Sequence, residues 1–539
     1  SHFLFTLTAP TGIGKTMTAL DFALKLKAKI SYTLSIEPRI IYALPFINII
    51  EQAHREYKDT LSEETEILAH YQYADVFSIS NEIKNEDGAE LNYNQQLMTL
   101  DTWQADIVIT SFVQFFETLI GNRNKLLKKF NHYANAIIIL DEVQTLRLDQ
   151  MPLIGSALFY LTKFLKARVI LMTATKPKIF QLAQEQILSK EGDNVNPIEL
   201  LECHEEVFAT FQRTKIVPLL NIEFDKENIS SDFTEKVFSA KWQPEKSCII
   251  VCNTVKRSIE LYNSIVLYIN QRGLKNSIEY LSTNIIPAHR FDRIKNIKTL
   301  INPGRAPILI STQVVEAGVD LDFDMGFRDL GPIDSIIQVA GRINRNNNTA
   351  KSHSPLYVVD FGDSQKIYGR ITKDQAKSAL QMKSEFLESE YLSLINRYFD
   401  SISDKKSFSQ YNEIFNSMKT LRYDSERKEE RPVSSFKIIE ESSSTQSVFI
   451  EIGNYEIDLK GKYLRKIIGK IKKEEFDKRF KQDFQQRIIA IPDYLTKELP
   501  SINQFDEKIK IVTHDLLNQY YDEKTGFIRI KKDEVITFL

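Results

Sequence analysis

The sequence predicts an α/β protein: two tandem domains, each a parallel sheet flanked by helices, and a smaller C-terminal accessory domain. Three observations carry this. Short apolar, β-rich runs alternate with segments of helical period from the first residues onward, as in a buried parallel sheet. The same rhythm restarts near residues 205–215, and it stops after about residue 365.

In the first domain, residues 1–210, the strand candidates are 3–9, 39–44, 106–110, 136–140 and 168–172, with helical pattern over 15–27 and 46–57. The second, residues 211–365, offers 215–223, 247–253, 278–282, 307–311, 325–330 and 356–361. A charged helical linker is expected over 366–405 and the accessory domain over 406–539, with a polar loop at 440–446. Lys462, Arg465, Lys466, Lys470, Lys472 and Lys473 gather there, but Glu474 and Glu475 interrupt them, so they read as a solvated face.

The 539 residues exceed one compact core, and 42% hydrophobic with 26% charged content belongs to the globular class. A net charge of −2 means that any grip on nucleic acid must come from a local groove, not from a generally basic surface. No run approaches the roughly 20 apolar residues of a membrane span. Cys203, Cys248 and Cys252 are too few for a disulfide framework, which fits a reducing, cytoplasmic setting. Cys248 and Cys252 sit four apart in a strand candidate, roughly 13 Å from each other, and read as core. The chain opens directly on a core strand, so further residues, upstream or on a separate subunit, are expected before it.

Ala9-Pro10-Thr11-Gly12-Ile13-Gly14-Lys15-Thr16 follows a strand and opens a helix, the context a phosphate-binding loop requires; Ala9 replaces the usual first glycine. Thr11, Gly12 and Gly14 would wrap phosphates with backbone N–H groups, Lys15 would neutralise the β- and γ-phosphates, and Thr16 would bind Mg²⁺. Ile137-Ile138-Ile139-Leu140 runs into Asp141-Glu142-Val143-Gln144, which puts two acids at the edge of a parallel sheet where ligands bind. Asp141 suits Mg²⁺, and Glu142 suits activation of an attacking water. Thr173-Ala174-Thr175 ends the next strand and, with Gln144 and Gln338, is assigned to coupling.

In the second domain, Thr312, Gly318 and Asp320 fall in one segment, and Gln338-Val339-Ala340-Gly341-Arg342-Ile343-Asn344-Arg345 forms another. Arg342 and Arg345, three apart, are expected on one helical face, where an arginine from a facing domain would stabilise γ-phosphate charge. Lys15 and Arg345 are thus read as two halves of one ATP site, with Lys15, Glu142, Arg342 and Arg345 as its catalytic set.

The order of these motifs resembles a superfamily 2 helicase with two RecA-like domains. Ile41-Tyr42-Ala43-Leu44-Pro45-Phe46, Asp141-Glu142-Val143-Gln144 and Val314-Val315-Glu316-Ala317-Gly318-Val319-Asp320 resemble, more specifically, the helicase of type I CRISPR interference. The resemblance spans residues 3–365. It implies a motor that uses ATP and Mg²⁺, travels 3′ to 5′ on single-stranded DNA and is recruited by an RNA-guided effector complex to the displaced strand in antiviral defence. It also implies DNA backbone contacts at Pro45, Thr110, Ser111, Thr254, Arg290 and Thr312.

Members of this family usually carry a histidine-aspartate (HD) nuclease, upstream or on a separate subunit. Among eight histidines only His514-Asp515 forms such a dyad. It reads as a surface feature, so DNA cutting is expected from residues outside this chain, and the adenine-recognising segment is missing as well. The ATP motifs are shared with RNA helicases and restriction-type DNA translocases. A non-enzymatic alternative, an ATP-gated DNA-binding clamp, would have no use for Glu142 and both arginines.

Overall fold

The computed structural model describes residues 3–10, 12–70, 98, 101–174, 178–301, 305–316, 318–424, 431–439, 445–452, 481–501 and 509–529. Thr11, Thr175 and Ala317, the basic cluster from Lys462 to Lys473, and residues 440–444 of the polar loop lie outside the described residues.

The chain forms two compact units: residues 1–212 with 388–440, and residues 213–387 with 441–539. The first is built on strands β1 (Leu4–Thr8), β2 (Ile40–Leu44), β3 (Ile67–His70), β4 (Ile107–Ser111), β5 (Ile137–Leu140), β6 (Arg168–Thr173) and β7 (Ile198–Glu199). They lie in the order β3-β4-β2-β5-β6-β1-β7, with every neighbouring pair parallel. Helices α1 (Lys15–Leu34) and α2 (Ile47–Thr60) pack apolar residues such as Leu20, Ala23, Ile50 and Tyr57 against Ile40, Tyr42, Ile107, Ile139 and Ile170. β2, β5 and β6 are buried along their whole length, which is why each reads as a continuous apolar run rather than an alternating one.

The second unit repeats the plan. Strands β8 (Thr214–Pro218), β9 (Cys248–Val251), β10 (Ile278–Leu281), β11 (Ile308–Ser311), β12 (Met325–Asp329), β13 (Ser354–Val359) and β14 (Phe386–Leu387) lie in the order β10-β11-β9-β12-β13-β8-β14. With β8 counted as first strand, this is the order of the first sheet, and only β14 runs antiparallel. Cys248 and Cys252 are fully buried in this core. A three-stranded sheet of β15 (Thr445–Ile450), β16 (Ile488–Pro492) and β17 (Ile509–Val512) belongs to the same unit. Its core includes Ile286 beside Val448, Ile491 and Tyr521.

The expected linker and single accessory domain are divided differently here. Helices Ser364–Tyr368 and Arg370–Leu380 remain with the second unit, because Phe386 and Leu387 pair with Ile216 and Lys215 of β8. Helices Tyr391–Ser403 and Ser409–Lys419 belong to the first unit, where the Gln150 amide donates to Tyr411 Oη at 3.1 Å and to the Lys437 carbonyl at 3.0 Å.

Candidate nucleotide and nucleic-acid site

The C-terminal edge of the first sheet gathers the phosphate loop and both acids. Just past β1, the buried Ala9 donates its N–H to the Thr173 carbonyl at 3.1 Å, tying the start of the loop to the end of β6. Gly12 and Gly14 take φ of +83° and +85°, the left-handed region that only glycine enters without strain. Gly14 is the N-cap of α1, makes no side-chain cap hydrogen bond, and no acid occupies the first turn. The positive end of the helix is therefore left without an anionic side chain of its own. The Lys15 ammonium donates to the carbonyls of Ala9 at 2.7 Å and Pro10 at 3.3 Å, so it lies folded over the loop.

Asp141 follows β5 and is buried. Its Oδ1 accepts the Glu142 N–H at 2.8 Å and its Oδ2 accepts the Tyr42 hydroxyl at 2.7 Å. Burial, reinforced by the Glu142 charge and opposed by Lys15, pushes its carboxyl up to about 6. A buried carboxylate beside a second acid, a threonine hydroxyl and one lysine is a donor set suited to a hard divalent cation. Glu142 takes φ +55°; the Gln144 side-chain amide donates to its carboxylate, and Thr173 Oγ1 donates to Gln144 Oε1 at 2.8 Å. Thr173, Gln144 and Glu142 thus form one continuous chain across the sheet edge.

Tyr42 was not among the sequence candidates, yet it holds one of the metal-ligand candidates, Asp141. The available signal was a phenol in the middle of Ile40-Ile41-Tyr42-Ala43-Leu44, since a buried tyrosine hydroxyl seeks a polar partner.

The nucleic-acid candidates follow strand ends. Leu44 pairs with Ser111, which sets Pro45 beside the β4 terminus; Phe46, next in sequence, is 46% exposed. Thr110 is buried with its hydroxyl donated to the His70 carbonyl at 2.8 Å, while Ser111 caps helix Phe112–Ile120 through the Gln114 N–H. In the second unit Thr254 caps helix Val255–Gln271, the buried Thr312 directly follows β11, and Arg290 lies in helix Pro287–Ile301 after β10.

Asp320 and Arg345 meet, with Nε to Oδ1 at 3.0 Å, and Lys298 reaches Asp320 at 3.3 Å. Gly318 takes φ +75° just ahead of them. The expected shared helical face for Arg342 and Arg345 is not what forms. Helix Ile333–Ala340, which carries the buried Gln338, ends before either arginine, because Phe323 exchanges backbone hydrogen bonds with Arg342 and Asn344 and draws the chain out of the helix. Arg342 is buried and donates to the carbonyls of Val315 at 3.0 Å and Glu316 at 2.7 Å. Arg345 is only partly exposed.

Arg328 of β12 was also missed. Fully buried, it donates to Asn253 Oδ1, Glu316 Oε1, Ser335 Oγ and Tyr368 Oη between 2.6 and 3.2 Å. Burial pulls its pKa down, but Glu316, Tyr368 and Asp329 outweigh that and hold it raised. His514 and Asp515 are exposed on a short turn, and no group of three His, Cys, Asp or Glu able to hold a metal occurs among the described residues.

Comparison with known proteins agrees with this geometry. Residues 2–178 match the family model of the type III restriction enzyme res subunit, and residues 244–348 that of the C-terminal part of the CRISPR-associated nuclease/helicase Cas3. A CRISPR-associated nuclease/helicase Cas3 from Haloferax volcanii is 26% identical over 500 residues, covering 74% of this chain and 53% of that protein. The chain therefore spans about half the length of this relative. The crystal structure of T. fusca Cas3 with AMPPNP superposes with a TM-score of 0.72 at 16% identity, over 97% of this chain and 68% of that one. A chain in a pre-nicking CRISPR RNA-guided surveillance complex superposes with a TM-score of 0.65 at 15% identity, over 97% and 67%. Two sheets of one topology, a phosphate loop and paired acids at the first sheet edge, and these relatives agree: the chain resembles the helicase portion of CRISPR-associated nuclease/helicases of the Cas3 type.

Proposed function

We propose that this chain is an ATP-dependent translocase and helicase that moves 3′ to 5′ along single-stranded DNA in type I CRISPR defence. On this reading an RNA-guided effector complex recruits it, and an HD nuclease, upstream or on a separate subunit, degrades the DNA. The observation that carries the reading is the convergence of Lys15, Asp141 and Glu142 with Thr16 at one edge of a parallel sheet.

Lys15 leaves the Ala9 and Pro10 carbonyls for the nucleotide phosphates, and the N–H groups at the start of α1 donate to the same oxygens. Thr16 and Asp141 would hold a Mg²⁺ ion, which when bound would neutralise charge on the nucleotide phosphates. Glu142 orients the attacking water and takes its proton; its carboxylate is aimed by Gln144. Arg345 and Arg342 of the second unit are assigned to the developing γ-phosphate charge. Pro45, Thr110, Ser111, Thr254, Arg290 and Thr312 are assigned to the DNA backbone, and the exposed Phe46 follows Pro45 directly in the chain.

The test compares ATP hydrolysis without nucleic acid, with single-stranded DNA and with single-stranded RNA. Stimulation by DNA is expected. Preference for RNA would place the chain among RNA helicases, and ATP-dependent DNA binding without strand displacement would make it a clamp.

A further inference from the structure

Tyr42 is buried at the centre of β2, and its hydroxyl reaches Asp141, one of the residues assigned to the cation. It donates to Asp141 Oδ2 at 2.7 Å. A phenol has one proton and an ionised carboxylate only accepts, so Tyr42 is the donor in this bond. One consequence follows for the carboxylate. Asp141 is gripped on both oxygens, by Tyr42 on Oδ2 and by the Glu142 N–H on Oδ1 at 2.8 Å, so its carboxylate cannot rotate.

The ring is fixed as firmly as the hydroxyl. It stacks on Tyr57 of α2 with centroids 5.4 Å apart and planes 7° from parallel, and Tyr57 is itself fully buried. The Tyr57 hydroxyl has no hydrogen-bond partner, an arrangement that costs about 1–3 kcal/mol and that a phenylalanine would avoid.

We propose that Tyr42 is a positioning residue for the divalent cation: it orients Asp141 so that the free lone pairs of the carboxylate serve the ion, and Tyr57 clamps its ring. This rests on the reading that Thr16 and Asp141 hold Mg²⁺. Outer partners of metal ligands typically contribute about 10–100-fold to metal affinity, and that is the effect expected here.

The experiment titrates Mg²⁺ against binding of a fluorescent ADP analogue by the whole chain, beginning from EDTA-treated protein. In Tyr42→Phe the Mg²⁺ concentration for half-maximal effect should rise by about 10–100-fold, while metal-free affinity for the analogue stays at the wild-type value. Tyr57→Leu removes the clamp but no hydrogen bond, and should raise the same concentration by a smaller factor; it also serves if Tyr42→Phe folds poorly. Asp141→Asn separates the two levels of argument. If it retains the full Mg²⁺ effect, the assignment of the cation site fails. If it loses the effect while Tyr42→Phe, or Tyr57→Leu in its place, titrates like wild type, the positioning role is overturned.

Discussion

Thr173 donates its hydroxyl to the side-chain oxygen of Gln144 at 2.8 Å, and both residues are buried. Gln144 in turn donates to Glu142, so the end of β6 senses the residue assigned to water activation. Thr173→Val keeps the shape and removes the donor. It should leave nucleotide affinity unchanged and cut the DNA stimulation of ATP hydrolysis by roughly 5–150-fold, a coupling of about 1–3 kcal/mol. Thr173→Ser should restore it. Equal loss of basal and stimulated rates would show that Thr173 serves the chemistry and not the coupling.

Lys15 and Glu142 should fail in different ways. Glu142→Gln keeps the contact with Gln144 but removes the proposed base, so kcat should fall by about 10²–10⁴-fold with nucleotide affinity retained. Lys15→Ala removes the cation assigned to the phosphates, which on that assignment serves ground and transition states alike, so affinity should fall with it. Direct binding of the fluorescent ADP analogue and single-turnover hydrolysis separate the two. Substantial turnover in both variants would contradict the assigned site.

What could be read in advance followed from locality. β2, β5, β6, β9 and β11 are fully buried, so each is a short apolar run that announces itself. β3 and β14 were missed, because four and two residues carry no period and only their partners, β4 and β8, make them strands. Gly12, Gly14, Lys15, Asp141 and Glu142 were legible because their chemistry fixes their spacing. Tyr42 and Arg328 were not: each sits in a buried strand, Tyr42 finds Asp141 99 residues away, and Arg328 draws its partners from other elements, Asn253 lying 75 residues away. The departure of Arg342 from a helix depends on Phe323, which no local pattern reveals.

His70, at the end of β3, accepts the Trp103 indole N–H on Nδ1 at 2.8 Å, which requires a neutral ring. Burial, with Lys129 and Lys125 nearby, lowers its pKa to about 3. The unfolded chain, near 6.5, therefore binds the proton first. Stability should be unaffected above pH 7 and should fall as pH drops from about 6.5 towards 3, by roughly 3–5 kcal/mol in total. Urea unfolding followed by Trp103 fluorescence, with the other tryptophan changed in Trp242→Phe, measures this. His70→Gln should flatten that part of the profile; an unchanged slope would mean that other groups set it.

Arg342 and Arg345 should separate by stability. The half-buried Arg345 pairs with the exposed Asp320, a contact worth about 0–1 kcal/mol, so Arg345→Ala should fold and melt like wild type. If Arg345 supplies transition-state charge, the same change lowers kcat by about 10³–10⁵-fold. Asp320→Asn releases Arg345 without removing it and should spare most of the rate. Arg342 is buried and holds the carbonyls of Val315 and Glu316, so Arg342→Ala leaves two acceptors unsatisfied and should cost about 2–6 kcal/mol of stability. Its rate loss would then come with a lower Tm. Thermal melting and single-turnover hydrolysis on the same preparations decide between the roles. An Arg345→Ala variant with wild-type kcat would move the charge-stabilising role away from this residue.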